Sequence, residues 1–85
     1  MPPCTGICVR KYESETQTWT LQDNDCAGDC RSGLVCRCPE VKEVLDDVNL
    51  RSMYSQEQIE TMKHPSDQDR VNLRCVCLEK VPPRG

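Results

Sequence analysis

Apolar positions are sparse in this chain, and they recur with two different periods. Ile7 to Tyr12 and Thr16 to Leu21 read as short strands, and in the second Trp19 and Leu21 alternate with Thr18 and Thr20. The polar stretch Glu13-Ser14-Glu15 predicts the turn between them, without the Asn-Gly pair that marks the tightest hairpins. Arg31-Ser32-Gly33 predicts a second turn, leading into Leu34-Val35-Cys36. Past Cys38 the period changes. Val41, Val44, Leu45 and Val48 fall at i, i+3, i+4 and i+7, one face of a helix. Ser55 and Gln58 form a capping-box pair ahead of Ile59 and Met62, and Pro65 ends that run. The stretch from Cys38 to Cys75 is therefore expected to hold one or two short helices or to be a long loop. Val71, Leu73, Cys75 and Cys77 then share one face of a closing strand. Val81-Pro82-Pro83 is expected to end the sheet, with fraying after Pro83.

These runs make a poor core. Leu, Ile and Val together number 16 of 85 residues, and there is no Phe. Ordering the backbone costs about 1–2 kcal/mol per residue, more than so little apolar surface offsets. The eight cysteines supply what is missing: C-x3-C at Cys4/Cys8 and Cys26/Cys30, and C-x-C at Cys36/Cys38 and Cys75/Cys77. An even count at this density marks a small secreted disulfide scaffold, each bridge worth about 2–4 kcal/mol. Reduction is expected to unfold the chain. The expected class is small, disulfide-rich and mainly antiparallel β, organised as a dense β lobe over 4–38, a polar excursion over 39–74, and a closing strand and tail over 75–85.

Charge narrows the partners. The formal charge is −3, and residues 39–74 carry the whole of it. No Lys/Arg run exists to hold nucleic acid or an anionic membrane, and no apolar stretch reaches membrane-spanning length. No signal peptide or N-x-[ST] sequon is read, and Met1 before Pro2-Pro3 reads as a start residue placed on a mature sequence.

Two cysteines one residue apart on a strand point the same way and bridge to two partners side by side. Two that are three apart present parallel bonds if helical. Connectivity stays open, since eight cysteines allow 105 pairings. Zinc is not expected, because structural zinc favours C-x2-C knuckles and the lone His64 lies far from any cysteine. Asp23, Asp25 and Gly28 resemble a calcium-loop opening, but Ala27 and Leu34 occupy ligand positions, so a solvated acidic turn is expected. One histidine, no nucleophile motif and no phosphate loop point away from an enzyme, and no cofactor is expected.

Cys8, Tyr12, Trp19, Cys26, Cys30, Gly33, Val35 and Cys36 follow in the order in which a von Willebrand factor type C domain places a cysteine, a Tyr, a Trp and a cysteine cluster with a Gly-x-Val turn. Residues 8–38 resemble the first half of that family, which implies small twisted antiparallel sheets. In size and cysteine density the chain is similar to tick salivary inhibitors that use a type C-like fold to block complement component five. Cys26-Ala27-Gly28-Asp29-Cys30 with Cys36-Arg37-Cys38 also resembles trypsin-inhibitor-like domains, which would put Gly28 at the protease-facing position with no side chain to offer.

The expected function is a secreted, extracellular, non-enzymatic binder that blocks a host-defence protein, with complement component five as the leading partner. The alternatives are a serine protease inhibitor and a growth-factor-binding type C module. Aromatic residues and Met often anchor interfaces, so Leu50, Arg51, Met53, Tyr54, Ile59 and Met62 in the unstapled excursion are the candidate contacts. Packing on the sheet is the competing role for Tyr54 and Met62. Trp19 is expected in the core.

Overall fold

The computed structural model describes residues 2–81. Met1, Pro82 and Pro83, and the fraying expected after Pro83, lie outside the described residues. The two N-terminal runs pair as β1 (Ile7–Glu13) and β2 (Thr18–Asn24), an antiparallel hairpin in which Tyr12 faces Trp19. The turn sits later than the polar triplet predicts, at Ser14 to Gln17, with Gln17 at φ 55 in the left-handed position. Asp67 anchors this turn from outside by accepting the Ser14 N–H at 3.0 Å.

Beyond β3 (Val35–Arg37) the excursion is helical: α1 (Val41–Asp46), α2 (Val48–Arg51) and α3 (Gln56–Lys63). The predicted four-residue face is cut short. Asp47 is extended, and its side chain caps α2 by accepting the Asn49 and Leu50 N–H groups. Val41 and Val44 are buried, whereas Val48 starts the next helix and is 78% exposed. The Ser55–Gln58 capping box forms as predicted and orients α3 so that Ile59 and Met62 face inward.

The closing strand divides at Cys75. β4 (Arg70–Arg74) pairs with β1, giving a three-stranded sheet in the order β2-β1-β4, and β5 (Val76–Leu78) pairs with β3 in a second sheet. β4 thus begins inside the predicted excursion, whose last five residues belong to the first sheet. The core lies where α1 and α3 cover that sheet: Cys8, Val41, Val44, Ile59, Met62, Val71 and Leu73, with Cys38 and Cys75.

Arg37 ties β3 to α1. Its Nη1 and Nη2 each donate to a Glu43 carboxylate oxygen at 2.8 Å. Those bonds hold the Glu43 carboxyl below its ordinary range, although partial burial opposes the shift. A carboxyl with a depressed folded pKa contributes stability above its unfolded value, and that contribution is lost as pH falls through the folded value. Glu43→Gln keeps the helix cap and loses the ion pair, so it is expected to cost about 1 kcal/mol or less near neutrality. The gap between wild-type and variant melting temperatures should close as pH drops below about 4. Thermal melts across that range test it, and a constant gap would rule the pair out as the source.

Candidate functional site: a stapled frame and an open sheet edge

All eight cysteines are bridged: Cys4–Cys36, Cys8–Cys38, Cys26–Cys75 and Cys30–Cys77. Each C-x3-C therefore joins one C-x-C through two bonds, and both ends of the chain are sewn to the same centre. The C-x3-C pairs present their parallel bonds from extended chain and not from helices. Cys8 lies in β1, and the segments around Thr5 and Ala27 run extended side by side, exchanging N–H bonds of 2.8 and 3.0 Å. The signal missed in the sequence is that both segments read C-x-G-x-C. Gly6 and Gly28 adopt φ 120 and 118, a conformation open to glycine and outside the helical range.

Sulfurs of Cys4, Cys30 and Cys77 lie within 4.8 Å of one another, as do those of Cys8, Cys26 and Cys75. Every one of them is committed to a disulfide, so these are stacked bridges without the thiolates that a metal requires. Asp23 and Asp25 bond to backbone amides, Asp25 accepting the Ile7 N–H at 2.6 Å across the sequence and Asp23 the adjacent Asn24 N–H at 2.9 Å. The 26–30 segment is paired along Thr5, and the Gly28 backbone lies against Pro3 and Cys4.

The candidate contact residues separate. Ile59 and Met62 are 2% and 3% exposed, so burial against the sheet takes them out of any contact surface. Tyr54 is half-buried and its hydroxyl accepts the Arg74 N–H at 2.9 Å, which fixes the α2–α3 link to β4. Leu50 and Arg51 are also half-buried, while Met53 is exposed. Trp19 stands between core and surface. Its ring packs on Tyr12 with centroids 5.3 Å apart, and the residue also lines an open groove of ≈ 500 Å³. Gln17, Thr18 and Thr20 line the strand side of that groove, and Glu40, Val41 and Lys42 the helix side.

No protein-family model, curated protein or solved structure matches this chain.

The groove runs along β2, the outer strand of its sheet. Tyr12 exchanges backbone bonds with Gln68 and Asp69 on the β4 side of β1. Amide groups alternate sides along a strand, so Lys11 bonds toward its β2 partner Thr20, while Trp19 and Leu21 turn their N–H and C=O groups outward. Leu21, on the Trp19 face, is 46% exposed. The charge around this edge is one-sided: residues 12–30 hold Glu13, Glu15, Asp23, Asp25 and Asp29 and no Lys or Arg. Lys11 offsets Glu13 at 3.3 Å, and the groove-wall Lys42 pairs with Asp46 at 3.1 Å.

Proposed function

We propose that this protein is a secreted, non-enzymatic binding protein that blocks an extracellular host-defence protein. The observation that carries the reading is an open sheet edge and adjoining groove held on a frame closed by four disulfides. A surface already rigid before contact loses little conformational entropy on binding, which is how small stapled domains gain affinity. The bridges also suit an oxidising compartment. Among the described residues no helix is long and apolar enough to cross a membrane. The resemblance of residues 8–38 to type C domains supports an extracellular setting, and the similarity in style to tick salivary inhibitors makes complement component five the first target.

The test is capture from plasma on immobilised oxidised protein, with identification by mass spectrometry and direct titration against complement component five. A saturable partner whose activity falls on binding is the expected result. Recovery of no extracellular partner would remove the reading, and recovery of a different one would replace component five alone.

A further inference from the structure

We propose that the outer edge of β2 is a strand-addition site for an extended cationic segment of the partner, neutral at its centre and basic at both ends. The proposal rests on the binding-protein reading above and names the chemistry of what binds. Its first support is the hydrogen-bonding face that Trp19 and Leu21 turn outward from an edge strand. Such an edge pairs readily with another extended chain through main-chain bonds, and neighbouring pockets select the side chains. The groove over Trp19 and Val41 is that pocket, placed to receive one apolar side chain of the added strand.

Charge decides which chain is admitted. The central residues Thr18 to Leu21 are uncharged, while Glu15 precedes them and Asp23 and Asp25 follow, all exposed. A second copy of this protein pairing edge to edge would bring these carboxylates together and be repelled. A partner with lysine or arginine at both ends of a strand of about eight residues meets opposite charge at each end. The other outer strand of the sheet, β4, is unlike this one: the Arg74 N–H already donates to Tyr54.

Two synthetic peptides serve as probes, each an alternation of threonine and valine, one with paired lysines at both ends and the other with paired glutamates. Trp19 is the only tryptophan, so its emission reports occupancy of the groove directly. The lysine-ended peptide is expected to bind with a change in Trp19 emission, to slow amide exchange at Trp19 and Leu21, and to weaken as salt is raised. The double variant Glu15→Lys/Asp23→Lys should lower that affinity about tenfold or more and admit the glutamate-ended peptide. Glu15→Gln/Asp23→Asn, which adds no positive charge, should give an intermediate loss if the reversal disturbs folding. Equal binding of the two peptides, protection on β4 in place of β2, or dimerisation of the protein through β2 would each overturn the proposal. A plasma partner captured equally by wild type and the charge-reversed variant leaves the binding reading standing and removes the edge. Lysine-peptide binding at β2 without any plasma partner supports the edge and removes the host-defence reading.

Discussion

Replacing Cys26 and Cys75 together by serine is expected to remove a large share of the protein's stability. This bridge closes 49 residues of sequence, more than any other in the chain. Cys30–Cys77, four residues on from Cys26 and two from Cys75, already closes nearly the same loop, so the further restriction of the unfolded chain is worth about 2–3 kcal/mol. A domain of this size holds in total about 4–13 kcal/mol. The native side adds to the loss, because Cys75 is buried at the junction where β4 leaves the first sheet and β5 enters the second. A serine hydroxyl placed there is desolvated in exchange for a sulfur that packed against apolar neighbours. Without the bridge, the two sheets stay joined by the chain through Cys75 and by Cys8–Cys38, which ties β1 to the residue after β3. Urea unfolding followed by circular dichroism should show a collapsed midpoint with the other three bridges intact. A midpoint within a few tenths molar of wild type would mean that the packed core, and not the staples, carries the fold.

The second large effect is expected at Gly28→Ala. A methyl group there would lie 2.1 Å from the Pro3 carbonyl oxygen and 2.8 Å from the Cys4 Cα, both backbone atoms that no side-chain rotation can move. The residue also holds φ 118, where a Cβ is strained in any surroundings. Strain of about 1–3 kcal/mol and overpacking of a similar size together predict a loss of about 3 kcal/mol or more. Gly33→Ala separates the two causes. Gly33 has φ 89 with nothing within 4 Å of the added methyl, so only strain of about 1–2 kcal/mol should remain. Thermal melts of both variants give the comparison, and oxidative refolding of Gly28→Ala should yield mispaired species because the two C-x-G-x-C segments no longer fit together. Equal losses at the two glycines would show that the close approach to Pro3 contributes nothing.

The exposed residues were the hardest to place from sequence. Met53 and Met62 look alike on paper, yet one is exposed and the other is 3% exposed, because the Ser55 cap sets the rotation of α3 and the link before it turns outward. Val48 continues an unbroken helical period, and a single Asp47 side chain capping the next helix was enough to break it. The groove over Trp19 had no signal at all, since it is made by β2 meeting α1 from a distant part of the chain.

Local chemistry determined the hairpin, the α3 capping box, the turn before β3 and the need for staples, since each depends on neighbours within a few residues or on composition alone. The mainly antiparallel, disulfide-rich class follows from those. Only the tertiary structure decided which cysteines meet, because pairing depends on where extended segments 30 to 49 residues apart come to lie. It also decided that the closing strand serves two sheets and that β2, with its acidic flanks, is left on the outside. An edge becomes an edge only when every other strand has found its partner, and no short stretch of sequence holds that information.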